Sequence, residues 1–165
     1  MIEIFLLSII QGITEFLPIS SSSHLIIFSS FTNFENQSLS IDVSLHIGSF
    51  LAVITYFYND IKNFVKNKKF FLKILISSLP VMLLGFFLVQ TNLIEKLINI
   101  EVIGWTTLLF AILLYISDKF KLKNNINKNF NYKSAIFIGL FQILSLIPGV
   151  SRSGISITAA RFLNF

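Results

Sequence analysis

The sequence has no cysteine, which excludes a disulfide-stapled secreted module and any cysteine-based metal centre. Charge is also scarce: 13% of its 165 residues are Asp, Glu, Lys or Arg, where soluble domains carry roughly 25%. A chain so short of polar surface cannot cover a soluble core. It is not a disordered chain either, because 54% of its residues are hydrophobic and 19 of them are Phe, enough to bury. The N-terminus lacks the basic stretch of a signal peptide: Met1-Ile-Glu-Ile carries Glu3 instead, so the first apolar block is expected to belong to the mature protein. What is present is apolar sequence in blocks, with a mean hydropathy of +0.78. At roughly 20 residues per crossing, the length allows one domain with about five or six membrane-associated elements.

The net charge is +5, and its placement excludes a nucleic-acid partner. Ten of the eleven lysines fall in two stretches, Lys62 to Lys73 and Lys119 to Lys133, each beside apolar blocks. Short loops rich in Lys and Arg are retained on the cytoplasmic side of a membrane. The low-complexity run from Lys121 to Lys133 reads as a solvated loop on that side.

Three blocks, at 43–58, 70–89 and 102–117, read as plain crossings. The third has Trp105 and Tyr115 near its ends as interface anchors. The loop Asn59–Lys69 is basic, and so is Asp118–Lys133. Thr32–Ile41 holds only Glu35, and Gln90–Glu101 holds Glu95, Lys96 and Glu101. That alternation fits three crossings.

The two remaining blocks, 5–31 and 135–165, resemble each other. A shift of 130 positions sets Pro18 on Pro148, Leu17 on Ile147, Ser21 on Ser151 and Ser23 on Ser153. Each reads as an apolar run, a proline, a Ser-rich kink and a second apolar run. Neither arm is long enough to cross alone, so both are expected to be re-entrant hairpins. Three crossings lie between them, an odd number, so the second hairpin enters from the opposite face. The expected fold is all-α: a polytopic membrane protein with two re-entrant hairpins in an inverted repeat. Such repeats bring helix N-termini together near the midplane, where anions bind.

Ionisable groups within these blocks are candidates for function. Gln11 and Glu15 lie one helical turn apart on one face. Ser20-Ser-Ser-Ser-His24 follows, so one stretch supplies a carboxylate, hydroxyl nucleophiles and an imidazole. One or two of these serines are also expected to cap the helix after Pro18. The second stretch is Pro148-Gly-Val-Ser-Arg-Ser-Gly154. Arg152 offers a fork of donors suited to phosphate, Ser151, Ser153 and Ser156 offer hydroxyls, and Gly154 permits close backbone approach. Arg161 is expected to snorkel to the interface. Asp42 and His46, one turn apart at the start of a crossing, are assigned packing roles.

These residues resemble the bacterial integral-membrane undecaprenyl-diphosphate phosphatases associated with bacitracin resistance. The stretch from Gln11 to His24 looks like that family's first motif and Pro148–Ser156 like its second; Asp42–Gly48 is similar to a further segment. The resemblance implies hydrolysis of undecaprenyl diphosphate to the monophosphate, recycling the cell-wall lipid carrier, with a divalent cation such as Mg²⁺ or Ca²⁺. Carried over, Arg152 clamps the diphosphate with Ser20, Ser22, Ser151, Ser153, Gly154 and Ser156 around it. Glu15 and Gln11 hold the metal or move a proton, and Ser21 or His24 delivers the attack. The implied setting is a bacterial inner membrane with the site facing outward; the partners are the polyprenyl diphosphate and membrane lipids, with room for a homodimer. Ser23 stands where the family commonly has Gly, which stiffens the turn before His24. Family members also continue past the second motif, so the chain reads as a C-terminally truncated version. Two other classes stay open: a transporter or flippase for an anionic lipid phosphate, and a non-catalytic membrane fragment.

Overall fold

A computed structural model describes residues 2–32, 38–91 and 98–165, and among these it is helical with no strand. The helices are α1 (Ile2–Thr14), α2 (Ser21–Thr32), α3 (Leu39–Tyr56), α4 (Tyr58–Lys66), α5 (Lys68–Gln90) and α6 (Ile100–Asp118), followed by α7 (Ile126–Asn129), α8 (Tyr132–Gln142), a 3₁₀ turn (Ile143–Leu146) and α9 (Arg152–Phe162). Glu35, Glu95 and Lys96, which figured in the charge alternation, lie outside the described residues.

Three of these helices, α3, α5 and α6, are 18, 23 and 19 residues long and apolar enough to cross a membrane. They overlap the three apolar blocks but start earlier, and for α5 and α6 a polar cap explains why. The Asn67 side chain accepts from the Phe70 amide at 3.2 Å ahead of α5, and Asn99 accepts from the Glu101 amide at 3.0 Å ahead of α6. A side-chain acceptor there satisfies an amide that the first helical turn cannot.

The stretch Asn59–Lys69, expected as a basic loop, is mostly helical: it holds most of α4 and the start of α5. Its lysines mask an amphipathic pattern, in which Ile61 and Phe64 are half-buried while Lys62 and Lys66 stay exposed. The Phe64 ring packs on Phe70 and Phe71 at centroid distances of 5.8 and 5.4 Å, anchoring α4 to the start of α5. The second basic stretch reaches the same end of the molecule. Lys73 Nζ donates to the Phe130 carbonyl and Phe70 packs on Phe130, so both lysine-rich segments gather on one face, as the charge pattern requires.

Packing runs inside out. Gln11, Thr14, Ser23, Ser29, Ser77, Ser117 and Thr158 are buried, while Met82, Phe86, Phe87 and Trp105 are each more than three-fifths exposed. In water such a surface would aggregate; in lipid it is solvated, and helices then associate through small residues and hydrogen bonds. The contact of α5 with α8 shows how. A Cβ at Gly139 would lie 2.5 Å from the Ser77 carbonyl oxygen, so only glycine allows this approach, and Gln142 Nε2 donates to Ser77 Oγ at 3.2 Å.

The hairpins α1–α2 and α8–α9 keep the sequence register. At the shift of 130, α1 and α8 begin together, at Ile2 and Tyr132, and α2 and α9 end together, at Thr32 and Phe162. Arg161 does not snorkel freely: its guanidinium pairs with Asp118 at 2.7 Å and ties α9 to the end of α6.

Candidate active site

The two proline turns meet. Pro18 at the bend of the first hairpin sets its carbonyl 2.9 Å from where a Cβ on Gly154 would lie, and Ser153 Oγ donates to the Leu17 carbonyl at 3.4 Å. Gly149, at φ +95°, turns the second hairpin under α6. There Thr106 Oγ1 donates to the Pro148 carbonyl at 2.6 Å and Thr107 Oγ1 to the Gly149 carbonyl at 3.1 Å. Two hydroxyls of α6 therefore hold the turn that presents Arg152.

Each turn starts a helix. Ser20 Oγ accepts from the Ser23 amide at 3.4 Å and from Ser23 Oγ at 2.8 Å at the head of α2. Ser151 Oγ accepts from the Gly154 amide at 3.1 Å at the head of α9 and shares a hydrogen bond with Ser153 Oγ at 3.0 Å. The capping expected after Pro18 is thus carried by Ser20, and Ser151, expected only as a phosphate ligand, caps the second turn in the same way. Both helix N-termini bring positive dipole ends to one place.

That place is a cleft of about 780 Å³. Glu15, Ser20, Ser21, Ser22, Ser151, Arg152, Ser153 and Ser156 all line it, together with Gln142 and Ser145 at the end of α8. Ser21 Oγ donates to Glu15 Oε2 at 2.9 Å. Ser156 Oγ is turned back to the Arg152 carbonyl at 2.8 Å. The Arg152 side chain is exposed, and among the described residues it makes no ion pair.

Three expected residues sit elsewhere. His24 does not line the cleft; its Nδ1 donates to the Ser20 carbonyl at 2.7 Å. Gly154 is buried beneath Pro18 and lines a second, more apolar crevice of about 430 Å³. Gln11 is 1% exposed and lies behind Glu15, donating from Nε2 to Glu15 Oε2 at 2.9 Å.

His46 was given a packing role on sequence grounds, but it lines the cleft. Gln11 Nε2 donates to its Nδ1 at 2.8 Å, and that nitrogen is 3.5 Å from Glu15 Oε2. An imidazole inside an apolar crossing was itself the signal that could have raised its rank. The buried Gln11 Oε1 has no hydrogen-bond partner. With the amide turned over, that acceptor would stand beside the Glu15 carboxylate, an oxygen donor set of the kind a hard divalent cation takes.

The crevice meets the cleft at Ser20, Gly149 and Ser151 and runs along Phe110, Ala111, Leu114 and Ile155. Together they define a helical membrane protein with a polar cleft, lined by the Arg152 guanidinium, that opens onto an apolar groove. The family model described as bacitracin resistance protein BacA matches residues 4–165, and the chain belongs to that family. It is 50% identical over 165 residues to the undecaprenyl-diphosphatase of Pelagibacter ubique (strain HTCC1062), covering 99% of this chain and 64% of that protein. It is 41% identical to the undecaprenyl-diphosphatase of Jannaschia sp. (strain CCS1), covering 98% and 66%, and 42% identical to that of Roseobacter denitrificans, covering 99% and 66%. The chain therefore spans just under two thirds of the length of these relatives.

Proposed function

We propose that the protein hydrolyses undecaprenyl diphosphate, or a closely similar polyprenyl diphosphate, to the monophosphate and inorganic phosphate. The observation that carries this reading is the pairing of Ser21 with Glu15 in a cleft also lined by Arg152, which no carboxylate among the described residues occupies. A transporter of the same lipid needs a phosphate site but no activated hydroxyl.

In this reading Arg152, with the N-termini of α2 and α9, binds the diphosphate, and the apolar crevice takes the first part of the lipid chain. Ser21 Oγ attacks the terminal phosphorus as its proton passes to the Glu15 carboxylate. The phosphoanhydride bond breaks and polyprenyl monophosphate leaves, its negative charge met by Arg152. Water then attacks the phosphoserine phosphorus, the Ser21 Oγ–P bond breaks as Glu15 returns its proton to Oγ, and inorganic phosphate departs with the water's oxygen and protons. Gln11 and Glu15 would hold a divalent cation, which neutralises charge on the transferring group when bound. The tie of His24 to Ser20 favours Ser21 over His24 as nucleophile.

The inverted repeat belongs to the same proposal, supported by the common register of the two hairpins. So does an inner-membrane setting with the cleft toward the outer face. The lysine-rich face marks the cytoplasmic end of α6, while Ile98, just before the opposite end of that helix, lines the cleft.

The test is release of inorganic phosphate from polyprenyl diphosphate by the full-length protein containing this chain. Arg152→Lys should lose about 100-fold or more in turnover, because an ammonium cannot reproduce the two-pronged donor. Undiminished turnover in that variant would remove Arg152 from the site. Lipid movement without phosphate release would favour the flippase.

A further inference from the structure

We propose that His46 is a third protein ligand of the divalent cation, through Nδ1, and that its imidazole turns the site toward Mn²⁺ over Mg²⁺ or Ca²⁺. This rests on the reading above that Gln11 and Glu15 hold such an ion. Among the described residues no three His, Cys, Asp or Glu side chains converge as a metal site; the set at this place is completed by an amide.

Three polar atoms form a small triangle. The Gln11 terminal amide atom is 2.9 Å from Glu15 Oε2 and 2.8 Å from His46 Nδ1, and the last two are 3.5 Å apart. Adjacent ligands of an octahedral ion bound at about 2.1 Å stand about 3 Å apart, so the triangle has the size of one face of such a shell. At present its apex is Gln11 Nε2, which fills the space by donating one hydrogen to each neighbour. Rotating the amide by half a turn about its terminal bond leaves its shape unchanged and is a soft motion. The apex then becomes Oε1, the atom now buried without a partner among the described residues, and acceptors stand at all three corners of the triangle. The rotation only exchanges which end of the amide lacks a partner, so the cation decides which orientation is held.

The protonation state fits as well. Gln11 Nε2 has only hydrogens to offer, so His46 Nδ1 is the bare, accepting nitrogen, the form that binds metals. His24 has the opposite tautomer: its Nδ1 faces a carbonyl and must carry the proton. Carboxylate and carbonyl oxygens suit Mg²⁺, Ca²⁺ and Mn²⁺, whereas imidazole suits transition metals. Mn²⁺ accepts both donor types.

The decisive measurement is pulsed electron paramagnetic resonance of Mn²⁺ added to the full-length protein without substrate. We expect ¹⁴N modulation of directly bound imidazole in the wild type, replaced by a ¹⁵N pattern when the protein is grown on ¹⁵N-histidine. His46→Ala should lose the modulation and bind Mn²⁺ about 10–100-fold more weakly, while His24→Ala keeps both. Competition should show Mn²⁺ displacing Mg²⁺ more readily from the wild type than from His46→Ala. Bound Mn²⁺ without nitrogen coupling, or coupling that survives His46→Ala, overturns the proposal. The isotope arm needs no variant, so a His46→Ala protein that fails to fold does not block the test. Nitrogen coupling in a protein that releases no phosphate would leave the cation site standing and sink the hydrolytic reading alone.

Discussion

Gly149→Ala is the substitution whose cost the structure specifies most fully. Gly149 sits at φ +95°, and a Cβ there would lie 2.0 Å from Thr106 Oγ1, 2.8 Å from the Ile103 carbonyl oxygen and 3.1 Å from Thr107 Oγ1. Forcing an L-side chain into this left-handed region costs about 1–2 kcal/mol. The Thr106 hydroxyl would have to swing away, losing its 2.6 Å bond to the Pro148 carbonyl, a further ~1 kcal/mol. The Ile103 carbonyl cannot swing, because it belongs to the α6 backbone, so the turn itself must shift for about 1–3 kcal/mol more. The total, roughly 4 kcal/mol, corresponds to a fall of about 10 °C in melting temperature for a protein of this size class. The assay is thermal unfolding of the detergent-purified full-length protein, followed by phosphate release at a temperature where the variant is folded. Thr106→Ala separates the contributions: alone it should cost about 1 kcal/mol, and combined with Gly149→Ala it should recover only the part due to the hydroxyl. Because Arg152 is three residues along the same turn, turnover should fall further than the loss of folded protein explains. A Gly149→Ala protein that melts within about 2 °C of wild type would refute the reasoning, since a cost of roughly 4 kcal/mol moves the midpoint by several times that.

Gly139→Ala should destabilise by about 1–3 kcal/mol, because its Cβ would meet the Ser77 carbonyl at 2.5 Å; Gly12→Ala, with nothing within 4 Å of the added atom, should not. Melting curves of the two variants side by side check this, and equal shifts would mean the α5–α8 approach is looser than described. Ser20→Ala should cost about 1 kcal/mol by leaving the Ser23 amide of α2 without its cap. Its turnover should fall less than that of Ser21→Ala, which removes the hydroxyl on Glu15; the reverse ranking would move the nucleophile away from Ser21.

What the sequence made legible follows from what each signal reports. Apolar blocks report a solvent, so α3, α5 and α6 were visible from hydropathy. The common outer bounds of α1–α2 and α8–α9 fall at the shift that proline and serine mark. Polarity alone is a poorer guide to backbone. The lysines around α4 read as a solvated loop and hid the Ile61 and Phe64 spacing that folds it. Contacts distant in the chain were least legible. His46 is 35 positions from Gln11, and the Thr106 and Thr107 bonds to the second turn span 42. No local pattern announces such pairs; the only clue was that polar groups inside apolar helices need partners.

The two hairpins share a frame but divide the chemistry between them. At the shift of 130, Glu15 falls on Ser145 and Arg152 on Ser22, so the first carries the carboxylate and the second the guanidinium. Both charges line one cleft without pairing among the described residues. Had Glu15 and Arg152 stood on one helix face a turn apart, their attraction in a low-dielectric setting would have closed them on each other. A phosphate would then have had to break that pair before binding. Held instead on separate turns, with Glu15 engaged by Gln11 and Ser21, the two charges stay apart, as the proposed reaction requires of an acid that serves a hydroxyl and a guanidinium that meets an anion. The close seam of Pro18 against Gly154 fixes that separation, which makes the glycine as much a part of the site as the charges it keeps apart.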